Sequence, residues 1–297
     1  MFPISRRISF LLFGSGLFAL NAMLSPSTLF ADDQGSIAHS PDYFPDTIGS
    51  HWEYRGQITE GPVQTIEHKF FTNVSTVVGT KTLKGMTVTV FRDSNPGNHG
   101  PSTSFYRRDA VGIVYHGSEP GTPLEKQLIP YQIVRFPMKP ALAFTQFDKT
   151  DLDFGTDMDR DGINEKVDTQ GDSVIVGQES ITVPAGTFQD AVKVEARMQM
   201  IIHLSAEGQA AKGTDVMTAW FAKGVGLVKY VERQELSPLK DRGMVTEIME
   251  ELESYEIKAP NASFDRSEPS TEGLFADNPR DQELHQVVLT SGLRADS

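Results

Sequence analysis

The chain has 297 residues, with 27 Lys plus Arg against 40 Asp plus Glu, 38% hydrophobic residues and no cysteine. The missing cysteine excludes a disulfide scaffold, a Cys-ligated metal centre and a thiol nucleophile. The acidic balance argues against nucleic acid as a partner, because phosphate binding needs a basic patch.

Arg6 and Arg7 precede an uncharged stretch, 8–31, that ends before Asp32 and Asp33. A positive start, an apolar run and a small residue at its end have the layout of a secretory signal peptide, with cleavage expected after Ala31. Leu29 is larger than the small residue usual three positions back, which leaves the cleavage position open. An uncleaved anchor is the alternative, since about 20 apolar residues span a bilayer. Gly14, Gly16, Asn21, Pro26 and Ser27 interrupt the run and favour the cleaved form. Ser9 stands where a twin-arginine signal wants a bulky apolar residue, so the general secretory route is expected. The expected location is the periplasm or the exterior, with no membrane span left after cleavage.

A polar lead, 32–42, opens onto a β-rich domain over 43–258. Alternating apolar and polar runs at 51–58, 67–78, 86–92, 103–115, 127–136, 173–183, 216–221 and 226–234 predict strands, separated by stretches rich in Gly, Pro, Asn and Asp. The clearest run is 191–204, where Val192, Val194, Ala196, Met198, Met200, Ile202 and Leu204 occupy every second position. A period of two sends these residues to one sheet face. Val245, Ile248, Met249, Leu252 and Tyr255 fit a helical stripe as well as a strand, and a closing strand is the preferred reading. The fold class expected is all-β, a curved antiparallel sheet closing into a barrel or half-barrel with little helix. From 259 to 297 the apolar residues thin out, and the composition predicts a disordered acidic tail.

Between the strands lies Asp157-Met158-Asp159-Arg160-Asp161-Gly162-Ile163-Asn164-Glu165. Carboxylates at alternate positions followed by Gly match the first half of a calcium loop. Counting on, Asp157, Asp159, Asp161, the carbonyl of Ile163, Glu165 and Asp168 are the candidate ligands of a structural Ca²⁺. Asp168 replaces the longer Glu usual at the last position, Asn164 replaces an apolar residue, and the flanks are not helices. The loop is therefore closer to the short acidic loops of extracellular calcium modules than to an EF-hand. A solvated acidic turn, partly neutralised by Arg160, is the alternative. Arg107 and Arg108 read as a solvated basic pair.

Three motifs stand apart: Tyr43-Phe44-Pro45 with Gly49, Trp52, Tyr54 and Gly56; Val183-Pro184-Ala185-Gly186-Thr187-Phe188; and Trp220-Phe221-Ala222-Lys223-Gly224-Val225-Gly226-Leu227-Val228. Together they resemble a group of uncharacterised exported bacterial proteins, and the resemblance implies a curved antiparallel sheet akin to the half-barrel of lipoprotein carriers. Pro184 and Gly186 suit a tight turn, Gly224 and Gly226 a bend or close approach, and Trp52 and Trp220 are expected to fill the core.

No histidine pair has metal-ligand spacing, and no G-x-S-x-G, phosphate loop or dinucleotide fingerprint occurs. The expected function is non-catalytic binding of a lipid or other hydrophobic molecule in a barrel cavity, with Met198, Met200 and Trp220 as candidate ligand-binding residues. Two other readings stay open: a calcium-stabilised module that meets an envelope protein, and a hydrolase with an unrecognised carboxylate pair.

Overall fold

In the computed structural model, residues 35–62, 67–94, 100–205, 208–236 and 244–259 are described; the leader 1–31 and the tail from 260 onward lie outside them. The strands are β1 (His51–Pro62), β2 (Glu67–Leu83), β3 (Met86–Asp93), β4 (Ser102–Asp109), β5 (Gly112–Glu119) and β6 (Tyr131–Arg135). They continue with β7 (Ala143–Asp153), β8 (Lys166–Val183), β9 (Gly186–His203), β10 (Ala210–Ala222), β11 (Gly226–Leu236) and β12 (Met244–Glu256). A single-turn 3-10 segment, Ser40–Tyr43, precedes β1, and one short helix, α1 (Pro123–Leu128), lies between β5 and β6.

All twelve strands belong to one antiparallel sheet in the order β6-β5-β4-β3-β2-β1-β12-β11-β10-β9-β8-β7. Each half of the chain is thus a six-stranded meander, and the β1–β12 ladder joins the halves. The two edges, β6 and β7, face each other without a backbone ladder, so the sheet is nearly closed into a barrel. Side chains hold the seam: the rings of Tyr131 and Phe147 lie 5.4 Å apart, and Gln146 Nε2 donates to the Gln132 carbonyl at 3.0 Å. Helix α1 is tied to β7 through Gln127, whose Nε2 donates to Asp153 O at 2.8 Å and whose Oε1 accepts from Asp153 N at 3.0 Å. Covering both edges in this way removes two templates for unwanted strand pairing.

The all-β expectation holds, with differences of local cause. The 103–115 run is two strands, β4 and β5, because the chain turns at Ala110-Val111 and Gly112 adopts φ +145°. The start of the 127–136 run is helical, because Thr122 and Glu125 form a capping box with Pro123 in the first turn. Strand β7 has no clean alternation and was not anticipated. The ambiguous 245–257 segment is strand β12, in register with β1 and β11. The 191–204 alternation is borne out, with Val192, Val194, Ala196, Met198 and Ile202 fully buried.

The three motifs converge in space. Trp52 Nε1 donates to Val225 O at 2.6 Å, Tyr54 Oη donates to Leu227 O at 3.1 Å, and Ala185 N donates to Leu252 O at 2.9 Å. Gly226, at φ +97°, lets the β10–β11 turn come against Pro45 and the Trp52 indole. Trp52 fills the core as expected, with Val77, Val228 and Leu252 around it. Trp220 does not: it lies on the opposite face of β10 from Met217 and Ala219, with Nε1 donating to Glu179 Oε1 at 2.5 Å and Lys193 over its ring.

Inside the sheet, Gly56 makes room for an aromatic ring, since a Cβ there would stand 2.2 Å from Phe71. Gly56→Ala is expected to destabilise the protein by about 1–3 kcal/mol, as overpacking does. Phe71→Leu in the same chain should recover most of that loss. Denaturant unfolding of the two single variants and the double variant measures it, and additive losses would contradict the contact.

Candidate functional site

The two meanders enclose a cavity of about 1040 Å³. Its walls come from β1 to β6, from β10 to β12, from the segment around Phe44 and from the turns flanking α1; no described residue of β7, β8 or β9 lines it. The volume is at the upper end of the range for small-molecule sites. Rings supply much of the wall. Trp52, Phe91, Tyr106 and Tyr115 form a chain of contacts with centroids 6.3, 5.4 and 5.2 Å apart, and Tyr131 and Phe147 extend it across the seam.

The charged side chains on this wall are Asp46, Asp93, Arg108, Glu125, Glu232 and Glu250. Arg108, expected to be a solvated half of a basic pair, instead clamps the N-terminal segment: it donates to Asp46 Oδ1 at 2.6 Å and to Phe44 O at 2.8 Å. Asp46 is thereby neutralised. Glu125 is held by Tyr115 Oη at 2.5 Å, Ser118 Oγ at 3.1 Å and the Thr122 N–H at 3.1 Å. Asp93, Glu232 and Glu250 form no ion pair with a described Lys, Arg or His, and neither does Asp215, which is buried beside Glu232.

Burial without a counter-charge disfavours the ionised form of these acids. It pushes Asp93 up to about 6, and it pushes Glu250 up to about 8 with help from the Asp93 and Glu232 charges. Asp215 is raised by burial and by Glu232 beside it, and Glu232 by burial. Burial likewise holds the phenols of Tyr54, Tyr106, Tyr115, Tyr131 and Tyr230 above their ordinary value, so they stay neutral donors. Tyr230 Oη donates to Glu232, and Gln234 Nε2 bridges Glu232 Oε1 at 2.7 Å and Asp215 Oδ2 at 3.2 Å.

A second cluster lies in the loop between β7 and β8. Carboxylate oxygens of Asp157, Asp159 and Glu165 come within 4.8 Å of one another, a spacing that accommodates one cation. Glu165 is fully buried; its Oε1 accepts from the N–H groups of Met158 at 2.9 Å and Asp159 at 3.2 Å, and its Oε2 from Ser205 N at 3.0 Å. Asp157 accepts from the N–H groups of Arg160, Asp161 and Gly162 at 2.5–3.2 Å. Glu165 Oε2 and Asp157 Oδ2, which accept one of these bonds each, keep a lone pair for a hard cation.

Of the six candidate ligands, three come together and three do not. Asp161 turns to Ile163 N at 2.8 Å and Ser205 Oγ at 2.7 Å, and Ile163 is exposed. Asp168 sits on β8, where it accepts from Asp151 N at 2.9 Å and pairs with His203 Nε2 at 2.8 Å. The calcium-loop count fails at Asp161 and Ile163 within the turn, and at Asp168 because β8 begins at Lys166 and fixes an extended backbone there. Ser205, from the β9–β10 turn, was not visible as part of this site.

Met198, Met200 and Trp220 do not line the cavity. The two methionines are buried against Leu124, Leu128, Tyr131 and Phe147, where β9 packs under α1 and the seam. On the adjacent strand β10, Met217, opposite Ala196, does line it. The acids that do so went unread, because Asp93, Glu232 and Glu250 occupy polar places in ordinary alternation. Their one signal is parity: Glu232 and Glu250 share strand parity with Val228, Tyr230, Ile248 and Leu252, all of them buried.

The comparisons give a coarse placement. Residues 135–235, about a third of the chain, match a family model described as DUF3108-like. No curated protein matches the chain. Two solved structures are similar in part: an inferred exported protein of Bacteroides fragilis with a YmcC-like fold, and an inferred lipoprotein of Parabacteroides distasonis. The first is 13% identical with TM-score 0.32 and the second 16% identical with TM-score 0.31; each alignment covers 72% of this chain and 98% of the other.

Glu250 gives a pH test. The folded chain keeps its proton to about pH 8, whereas the unfolded chain loses it near 4.5. The associated stability is full below 4.5 and lost as pH rises through 8. Glu250→Gln should leave the melting temperature unchanged at pH 4 and raise stability by up to about 5 kcal/mol above pH 8. Thermal melts across pH 4–9 check this, and a constant difference would contradict it.

Proposed function

We propose that the chain is an exported, non-catalytic binding protein whose barrel interior takes up a molecule with a substantial apolar part. One observation carries this reading: an aromatic-walled cavity of about 1040 Å³ in a barrel whose remaining interior, under β7 to β9, is filled. Barrels of about eight strands are just filled by side chains and wider ones have room to spare, while an unfilled volume forfeits dispersion contacts. A space this large, walled by Trp52, Tyr54, Phe91 and Tyr106, fits retention for a ligand better than a packing fault. The leader pattern at Arg6 to Ala31 supports a site of action outside the cytoplasm.

The expected result is that the neutral fluorophore N-phenylnaphthylamine gains intensity on mixing with the protein. Ala219→Phe, which adds a ring at a cavity wall, should weaken uptake at least about five-fold. No gain in intensity with the folded wild type would overturn the reading.

A second element is a structural calcium ion held by Asp157, Asp159 and Glu165, a reading supported by their convergence. It would pin the β7–β8 loop to the β9–β10 turn through Glu165 and Ser205, and it suits a calcium-rich compartment. The melting temperature should rise by several degrees in millimolar calcium relative to chelator, and Asp159→Asn should abolish the rise. Superimposable wild-type curves would contradict the ion.

A further inference from the structure

Resting on the binding reading above, we infer that the cavity selects an amphiphile carrying a positive charge, with the charge seated near Glu232 and Glu250 and the apolar part along the rings. The argument is one of accounting. Six charged side chains line the cavity, and one of them, Arg108, is basic and already bound to Asp46 and the Phe44 carbonyl. Glu125 is consumed as the N-terminal partner of α1. What remains are Asp93 on β3, Glu232 on β11 and Glu250 on β12, with no described cation paired to any of them.

Behind them, Asp215 is 1% exposed; its carboxyl is hydrogen-bonded to Glu232 and Gln234, and its Oδ1 has no further partner. It stands on the same face of β10 as the cavity residues Met217 and Ala219, next to Glu232. A buried oxygen left unsatisfied costs roughly 1–3 kcal/mol, so the gathering of these acids is not explained by stability. Packing alone would favour an apolar residue at these positions.

The walls fit the same class. Tyr230, Tyr54 and Trp52 line the cavity with these acids, and aromatic rings attract cations. An anionic lipid or fatty acid would find no cation here to pair with, whereas a cationic headgroup can displace the protons of Glu232 and Glu250 and pair with the carboxylates left behind. The groups that face Glu250 are Tyr54 on β1, Asn73 on β2, Asp93 on β3, and Tyr230 and Glu232 on β11. None of these is basic, so a ligand cation meets no competitor there.

The test compares three probes with the same twelve-carbon tail, each below its micelle concentration: dodecyltrimethylammonium, dodecanol and dodecyl sulfate, by displacement of N-phenylnaphthylamine from the full-length protein. The expected order is cation, alcohol, sulfate, with the cation at least about ten-fold tighter than the alcohol. Its affinity should rise from pH 5.5 to pH 8.5 as bound protons are displaced, while the alcohol's stays flat. Glu232→Gln with Glu250→Gln should bring the cation's affinity to that of the alcohol. Equal affinities of all three probes for the wild type would overturn the cation claim and leave the binding reading intact. Failure of all three to displace the fluorophore, or of the fluorophore to bind, would remove the binding reading itself.

Discussion

Pairing of β1 with β12 is the constraint on which the rest of the molecule depends. It joins the first and last strands of the described domain, and without it the chain would be two separate meanders, each with one face bare. The ladder sets Trp52 opposite Tyr255 and Tyr54 opposite Leu252, with a bulge between Glu53 and Tyr54 that increases the local bend. That bend carries the Trp52 indole to the Val225 carbonyl and the Tyr54 hydroxyl to the Leu227 carbonyl. The closure is therefore long-range in sequence and costly in loop entropy, and folding is expected to be slow.

Closure at one seam is by backbone and at the other by side chains. The β6–β7 seam relies on Tyr131, Phe147, Gln146 and the Gln127 clamp of α1, so it is the natural place for the barrel to yield. The filled and unfilled parts follow the same division. Under β7 to β9 the interior is occupied by Met198, Met200, Ile202 and the rings of the seam, while against β1 to β5 and β10 to β12 it stays open. Space and unpaired acids coincide in that second part, and neither feature improves stability. Their coincidence is what a binding function explains and a purely structural role does not.

The sequence made the sheet legible because alternation is a local signal. Val192 to Leu204 could be assigned to one face from period alone, and the turns at Pro184-Ala185 and Gly224 were readable from residue type. Whether a face is filled or hollow is not a local property. It depends on which strand lies across the barrel, and that was set by a β1–β12 pairing that no short-range pattern reveals. Met198 and Met200 thus looked like an adaptable lining and are core, whereas Glu232 and Glu250 looked like solvated alternates and face a cavity. The acidic loop was legible at Asp157, Asp159 and Glu165, and misread at Asp161, which turns to Ser205, at exposed Ile163, and at Asp168, where strand β8 takes over and His203 claims the carboxylate. Trp220 misled for a similar reason: size suggested core, but parity on β10 places it outside.

Native mass spectrometry of the full-length protein purified from its own cell envelope, sprayed without detergent, tests the central claim most directly. The account predicts a stoichiometric small molecule that carries a positive charge, leaves on unfolding and is displaced by dodecyltrimethylammonium. A bare polypeptide mass, with no adduct gained on addition of that probe, would contradict it.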